Sequence, residues 1–341
     1  MIDLRSDTVT KPTKGMLEAM MNADVGDDVY KEDPTAIKLE NRIAEMFGMD
    51  EALYFPTGSM ANQAAIKLHT QPGEQLICDK YAHVYHYEGG GVSFNSGVSC
   101  KLLDGDRGKI TASQVQAAIN PPDFYHSPLT TLVTLENTTN KGGGACYDLN
   151  TIKEIKEVCN KHGLGLHLDG ARLWNALVAT GQDPKEYGQL FDTISVCLSK
   201  GLGAPMGTVL CGKSSLMKNA MRVRKVLGGG MRQIGYMCAA GLYAVENHID
   251  RLKEDHHKAQ ELKEVLQKMS FVKKVEPVET NIIIFEVKDQ NEFMTFCNAK
   301  KMIISNMGVG KMRFVTHYDY DSLQHREVIN NLIEFNSISQ S

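Results

Sequence analysis

The sequence predicts an α/β fold, a mostly parallel central sheet covered by helices, with a smaller C-terminal α+β domain. Three observations predict it. Apolar stretches without polar alternation, such as Leu132-Val-Thr-Leu135 and Ile194-Ser-Val-Cys-Leu198, read as strands buried on both faces. Helix-forming segments separate these stretches, the order that produces parallel strands joined by crossovers. Polar residues and glycines gather where the stretches end, at Thr57, Glu136, Asp169 and Lys200. In such folds ligands collect beyond the carboxyl ends of the strands.

A chain of 341 residues can hold one large domain and a smaller one. Its 42% hydrophobic and 23% charged residues are ordinary for a soluble enzyme. A net charge of -4 without a long single-sign run argues against a nucleic-acid partner. The eight cysteines show no C-x-x-C and no zinc spacing, and Cys78, Cys197 and Cys211 lie in apolar runs. They read as reduced core thiols of a cytoplasmic protein. The N-terminus turns polar at residue three, unlike a signal peptide, and no apolar stretch reaches the length of a membrane span.

In chain order, residues 1–15 form an extended arm stopped by Pro12. Its polar stretch would ordinarily be a frayed terminus. A helical pattern at 16–22 and a turn-rich loop at 25–34 precede an amphipathic helix at 35–47. A short strand, 52–55, meets Pro56-Thr57-Gly58-Ser59 and a helix at 60–69. Hydroxyls and a glycine at a helix start can cap it, or leave free N–H groups for an anion. For this triplet alone, capping is the ordinary explanation. The strand 75–78 leads to His83 and His86, with no thiol or carboxylate set to complete a metal site. Stacking on a flat ligand is the competing role for His83, and the sequence leaves these options open. Gly89-Gly-Gly91 lacks the dinucleotide-binding spacing.

A strand at 130–135 ends in Glu136, and a helix at 149–162 feeds the strand 164–168, which delivers Asp169 and Arg172. A short Ala-rich helix and the segment 182–189 lead to the strand 193–198, then Ser199, Lys200 and a glycine turn. A further strand spans 206–211. Residues 213–232 are basic and helical, with Arg222, Arg224, Lys225 and Arg232 forming a solvated face or, more sharply, a phosphate or partner-subunit contact. One long helix, 235–268, marks the passage to the second domain. Strands near 271–275, 281–286 and 312–316 and helices near 291–300 and 322–335 complete it. Arg313 is flanked by apolar residues, and a buried arginine needs an anion. The resulting division is an arm at 1–15, a large domain at 16–245 and a small domain at 246–341.

Most strand-end lysines are simply solvated. Lys200, however, stands where a strand opens into glycines and cannot snorkel far. Desolvation there would depress its pKa, which suits a Schiff-base lysine because only the neutral amine attacks a carbonyl. Lys200 and Asp169 on strand ends of one sheet together suggest pyridoxal 5'-phosphate. The lysine would hold the aldehyde, and the carboxylate would keep the pyridine nitrogen protonated, so that the ring withdraws electrons from a substrate α-carbon. Thr57-Gly58-Ser59 could take the phosphate and His83 could cover the ring.

Motifs in order along nearly the whole chain sharpen this. They are L-R-S-D-T-V-T at 4–10, D-D-V-Y at 27–30, P-T-G-S-M-A-N at 56–62 and L-E-N-T at 135–138. H-L-D-G-A-R at 167–172, S-K-G-L-G-A-P at 199–205, G-G-G-M-R-Q at 228–233 and R-F-V-T-H at 313–317 complete the series. In them the chain resembles the low-specificity L-threonine aldolases of the fold-type I, aspartate aminotransferase-like group of pyridoxal-phosphate enzymes.

The resemblance implies retro-aldol cleavage of threonine or allo-threonine to glycine and acetaldehyde. It implies that Lys200 carries the cofactor, Asp169 pairs with its ring nitrogen and Arg172 lies by its phenolic oxygen. Gly58 and Ser59 would bind phosphate, helped from a neighbouring subunit by Lys225 and Arg232. Ser6, Arg172 and Arg313 would grip the substrate carboxylate. His83 would stack on the ring and, with His126, lie near the substrate hydroxyl; either of them, or a held water, would be the base. A neutral imidazole near its unperturbed pKa suits that task. A homo-oligomer is implied, a dimer at least and a tetramer by analogy, and no metal. The chain departs from the family at Lys31, where glycine is usual, and at Thr139, where histidine is frequent. A β-eliminating lyase or aminotransferase would share Lys200 and Asp169. A non-enzymatic interaction protein would not need Lys200, Asp169, Arg172 and Arg313 together.

Overall fold

The computed structural model describes residues 1–339. After a two-residue strand, β1 (Ile2–Asp3), the chain builds a seven-stranded sheet. Its members are β2 (Glu51–Phe55), β3 (Gln75–Asp79), β4 (Ser99–Leu103), β5 (Thr130–Glu136), β6 (Gly165–Gly170), β7 (Thr193–Cys197) and β8 (Thr208–Gly212). The spatial order is β2-β8-β7-β6-β5-β3-β4. The run from β4 through β3, β5 and β6 to β7 is parallel, whereas β8 is antiparallel to both its neighbours. Residues 198–207 join β7 to β8 without a helix, and so short a connection returns the chain antiparallel to itself.

β3, β7 and β8 are buried at every residue, as continuous apolar strands require. Helices Pro34–Phe47, Leu149–His162 and Gly235–Asn247 contribute to the main core with Val133, Leu166, Leu168 and Val196. Local chemistry sets the helix ends. Asp33 accepts from Ala36 N at the start of Pro34–Phe47, and Gly48, with φ 60°, closes it. Lys31 has φ 59°, a left-handed conformation that glycine adopts without cost, which explains why glycine is usual there.

The C-terminal strands are β9 (Val272–Val275), β10 (Ile282–Val287), β11 (Met302–Ile303), β12 (Ser305–Asn306) and β13 (Lys311–Val315). β12-β13-β10-β9 form an antiparallel sheet covered by a separate apolar cluster that includes Phe271, Phe285, Phe293, Phe314 and Phe335. Ile2 and Leu4 belong to this cluster, and β1 pairs in parallel with β11. The arm is therefore not a frayed terminus: its two apolar side chains and its backbone are both claimed by the C-terminal unit.

The long helix expected over 235–268 is two helices, Gly235–Asn247 and Leu252–Leu266. At the break, His248 Nδ1 meets Leu202 O at 2.8 Å and Arg251 Nη1 donates to Gly201 O at 3.2 Å. The bend therefore wraps the loop that follows Lys200. Strand β4 and the helix Ala112–Ala118 carry no strong apolar run and were not foreseen. Arg224 is not part of a solvated face. It is buried, donating to Tyr54 O at 2.7 Å and paired with Asp28. Among the described residues no helix is long and apolar enough to cross a membrane.

Candidate active site

Strands β6 and β7 end, and the antiparallel β8 begins, at one edge of the sheet, so Asp169, Cys197, Lys200 and Thr208 converge. The Lys200 loop is tight. Gly203 has φ 80°, and a Cβ at Gly201 would come within 2.9 Å of Leu252. Thr10 Oγ1 from the arm and Gly203 N both donate to Lys200 O, at 3.0 and 2.8 Å. Lys200 Nζ donates to Cys197 Sγ at 3.4 Å. Burial alone would lower the amine's pKa. Cys197, Asp7 and Asp169 outweigh both burial and Arg172, and the pKa is raised. The expected depression of the lysine is thus reversed by the acids around it.

Lys200 sits between two lobes. The first, about 390 Å³, is lined by Thr57, Gly58, Ser59, Asn62, His83, Asp169, Ala171, Ser195, Cys197, Ser199, Lys200 and Thr208. Thr57 caps the helix Gly58–His69, accepting from Met60 N at 3.1 Å. Beneath the lobe, Asn62 Oδ1 accepts from Ser195 Oγ at 2.7 Å and lies 3.2 Å from His167 Nε2. Asp169 Oδ1 accepts from Ala171 N at 3.0 Å, but Asp169 Oδ2 is buried without a partner, as is Thr208 Oγ1. A buried acceptor and a buried hydroxyl left unpaired are costly unless a ligand serves them. A protonated ring nitrogen and a phosphate are such partners, so the residues present fit pyridoxal phosphate.

The second lobe, about 370 Å³, adds Ser6, Tyr87, Glu136, Asn140, Lys141, Arg172, Ser305, Asn306, Met307 and Arg313 to the shared Thr8, His83, Ala171 and Lys200. Arg172 Nε and Nη2 donate to Asp7 Oδ2 and Oδ1 at 2.8 and 2.7 Å in a fully buried fork. Burial opposes ionisation of Asp7. The paired guanidinium, with Lys200 and Asn281, nonetheless holds its pKa at about 2. Arg313 Nη1 donates to Asn140 Oδ1 at 2.8 Å and Nη2 to Arg5 O at 3.0 Å, while its buried Nε has no partner. Burial and Arg172 bring its pKa down to about 10. It therefore remains a cation in want of an anion, as the sequence suggested.

His83 belongs to both lobes. Its Nδ1 lies 3.1 Å from Glu88 Oε1, leaving Nε2 free. The Glu88 side chain is fully buried and also accepts from Asn62 Nδ2 and Gln63 Nε2 at 2.9 and 2.6 Å. Burial lowers the imidazole pKa, but the Glu88 hydrogen bond and the charges of Asp169, Glu88 and Glu136 raise it on balance, so the ring is not unperturbed. His83, Glu88 and Asp169 bring candidate ligand atoms within 4.8 Å of one another. A carboxylate set absent from the local spacing thus assembles in space, although Glu88 is already engaged by three side chains. Glu136 accepts from His83 N and Asn140 N at 2.9 and 2.7 Å. Burial and Asp169 push its pKa up to about 7 against those N–H groups.

The structure brings together Ser6, Thr57, Gly58, Ser59, His83, Asp169, Arg172, Lys200 and Arg313. It does not bring His126, Lys225 or Arg232 to these lobes within one chain. His126 is exposed in the loop before β5, against Phe124 and Tyr125, at the amino end of the parallel strands. Lys225 is exposed, and Arg232 pairs with Asp27 at 2.9 Å. Sequence reasoning missed Asp7, Asn62, Glu88, Asn140 and Cys197. Asp7 and Asn62 lie inside the L-R-S-D-T-V-T and P-T-G-S-M-A-N motifs, and that membership is their signal in the sequence. Thr139, where the resemblance often has histidine, donates through Oγ1 to Arg107 O at 2.8 Å.

Comparison with known proteins finds relatives along nearly the whole chain. A family model described as "Beta-eliminating lyase" matches residues 3–290. The probable low-specificity L-threonine aldolase 2 of Arabidopsis thaliana is 43% identical over 297 residues, covering 86% of this chain and 83% of that protein. The low specificity L-threonine aldolase of Escherichia coli K12 is 40% identical over 331 residues, covering 96% and 97%. Among solved structures, a Leishmania major threonine aldolase matches with a TM-score of 0.87 at 20% identity, over 98% of this chain and 100% of that one. At that identity the structural likeness establishes the fold alone.

Proposed function

The chain belongs to the beta-eliminating lyase family, among the low-specificity L-threonine aldolases, and from that premise we infer cleavage of L-threonine and L-allo-threonine to glycine and acetaldehyde. It is a pyridoxal-phosphate-dependent carbon–carbon lyase. The observation that carries this for the chain's own residues is the unpartnered Asp169 Oδ2 in a cavity shared with Lys200, next to a lobe holding Arg313.

When bound, the cofactor supplies an electron sink for the bond broken at the substrate α-carbon. Lys200 Nζ would hold it covalently, and Asp169 Oδ2 would keep the proton on its ring nitrogen. The amides of Gly58 and Ser59 and the Thr57 hydroxyl would receive its phosphate at a helix start. Lys225 and Arg232 of a neighbouring copy would assist, and Arg172 would lie by its phenolic oxygen, as the resemblance implies. Arg313, Ser6 and the Arg172 Nη1 not committed to Asp7 grip the substrate carboxylate. That grip would fix the orientation of the substrate's scissile bond. His83 would cover the ring and offer Nε2 to the β-hydroxyl proton, while Glu88 at Nδ1 would favour the imidazolium that results. The resemblance also implies His126 near that hydroxyl, a place it could take only from another copy, since within one chain it is exposed at the amino end of the strands.

The chain is taken to work as a homo-oligomer, a dimer at least and a tetramer by analogy. Support comes from the exposed positions of His126, Lys225 and Arg232 and from Tyr30 and Val226, which are 70% and 82% exposed. Eight cysteines, all unpaired, support a cytoplasmic location. The division into an arm at 1–15, a cofactor-binding domain at 16–245 and a small domain at 246–341 is likewise a proposal.

The test is glycine and acetaldehyde release from both threonine diastereomers, with cofactor absorbance, for wild type beside Lys200→Ala. Wild type should be coloured and active, and the variant should lose roughly a thousandfold or more in rate. 2-Oxobutyrate in place of glycine would favour elimination instead, and 3-hydroxy-2-oxobutyrate would favour transamination.

A further inference from the structure

We propose that the enzyme also cleaves β-hydroxy-α-amino acids that carry a second carboxylate on Cβ, and that Lys141 receives that carboxylate. The inference rests on the aldolase reading above and deepens it by naming a substrate class. Lys141 lines the second lobe, of about 370 Å³, together with Arg313, His83 and Tyr87. It is half-buried, and its ammonium lies 5.6 Å from the centroid of the Tyr87 ring. Among the described residues its Nζ makes no hydrogen bond or ion pair. The cations nearby are different. Lys141 also lines a neighbouring cavity of about 400 Å³, whose Arg107, Lys274 and Lys311 pair with Glu279, Glu276 and Glu286. The backbone is pinned on either side of Lys141. Asn140 N donates to Glu136 Oε1 at 2.7 Å, and Arg107 Nε donates to Gly142 O at 2.9 Å.

The other charges of the lobe already have partners or roles. Arg172 is forked to Asp7, Lys200 would hold the cofactor, and Arg313 would grip the α-carboxylate. Glu136, the carboxylate that lines the lobe, accepts from His83 N and Asn140 N. Lys141 is left over, and the methyl group of threonine offers it nothing. Its place suits a β-substituent. Asn140, the residue before it, accepts from Arg313 Nη1 at 2.8 Å, and the Tyr87 ring by its ammonium lies 5.5 Å from the His83 ring. A substrate held by Arg313 with its hydroxyl at His83 turns the remaining Cβ substituent toward this wall. A carboxylate there gains a charge-assisted hydrogen bond in a half-buried site, where salt screens it less than at the surface. The cleavage balances without an oxidant. The hydroxyl proton leaves, the Cα–Cβ bond breaks and Cβ becomes the aldehyde carbon of glyoxylate. The electron pair left on Cα takes up a proton to give glycine.

The experiment compares substrates that differ in one group. Full-length holoenzyme of wild type, Lys141→Met and Lys141→Arg is given L-threonine and both diastereomers of L-3-hydroxyaspartate, and glycine is measured with acetaldehyde or glyoxylate. Wild type should release glyoxylate. Lys141→Met should lower kcat/KM for 3-hydroxyaspartate roughly tenfold more than for threonine, mainly through KM, and Lys141→Arg should restore most of the loss. Binding is measured apart from turnover. L-Aspartate and L-2-aminobutyrate have no β-hydroxyl, so neither can undergo the cleavage, and titration of the cofactor absorbance gives their dissociation constants. Wild type should prefer aspartate, Lys141→Met should lose roughly tenfold of that preference, and added salt should shrink it in wild type. A wild type that cleaves threonine but forms no glyoxylate would overturn the proposal and leave the aldolase reading intact. Equal losses on both substrates in Lys141→Met would overturn it too. If threonine itself gave no glycine, the aldolase reading would fall first and this inference with it.

Discussion

Around Asp169, Ser195, Cys197 and Thr208 the site is made by neighbouring strands of one sheet, with Asp169 opposite Ser195 and Cys197 opposite Thr208 in register. Around Ser6, Asn140, Ser305 and Arg313 it is made by pieces that meet only because the arm docks on the C-terminal unit. Arg313 reaches Arg5 O across 308 residues of sequence. The first lobe inherits its geometry from a hydrogen-bonded ladder, while the second depends on the Asp7–Arg172 fork and a few side-chain bonds between elements. The lesson is that one chemical site can rest on two kinds of support. The cofactor lobe should tolerate loss of single polar groups in the substrate lobe, whereas loss of the fork should disturb both.

The largest effect is expected from Asp7→Asn, which leaves Arg172 buried without its counter-charge. Urea unfolding should show a loss of about 3 kcal/mol. The acid limb sharpens this. Asp7 titrates at about 2 in the folded chain, below the roughly 3.9 of an unfolded aspartate. Its contribution is complete above about pH 4 and is lost as pH falls through about 2, so wild type should lose stability more steeply than the variant in that window. Equal acid unfolding of the two proteins would mean that the fork does not join the lobes energetically.

Arg313→Ala comes next. The threonine KM should rise roughly thirtyfold, the equivalent of about 2 kcal/mol for a hydrogen-bonded charge. The cofactor spectrum should stay unchanged, and a lost spectrum would erase the distinction between lobes. Thr57→Ala reverses the pattern. Removing the helix cap should cost about 1 kcal/mol in thermal unfolding and weaken cofactor retention, with KM for threonine unaltered. The smallest effect belongs to Asn140→Ala, which frees Arg313 Nη1 but leaves Arg5 O in place. A KM rise of roughly fivefold, from about 1 kcal/mol, is expected in steady-state assays.

Much of the first lobe was legible in the sequence because its determinants are local. The apolar run of β7 and the glycines after it announce where Lys200 must stand, and Thr57 before a helical pattern announces a cap. Asp7, Glu88 and Asn140 were less visible, since a polar side chain in a loop gives no local sign of its partner. The helix break at His248 was hidden for the same reason. Residues 247–252 read as continuous with the helices on either side, and only contacts to Gly201 and Leu202 show why the chain bends there.

The sequence by itself determined the α/β order, the strands whose ends carry Asp169 and Lys200, and the motif series that places the chain in its family. Periodicity, capping and turn chemistry act over a few residues and can be read without coordinates. The tertiary structure alone decided that the arm joins the C-terminal core, that Asp7 occupies two donors of Arg172, and that the acids near Lys200 outweigh its burial. Those outcomes depend on distances between charges far apart in the chain, and the balance of desolvation against Coulomb attraction has a sign only once those distances are known.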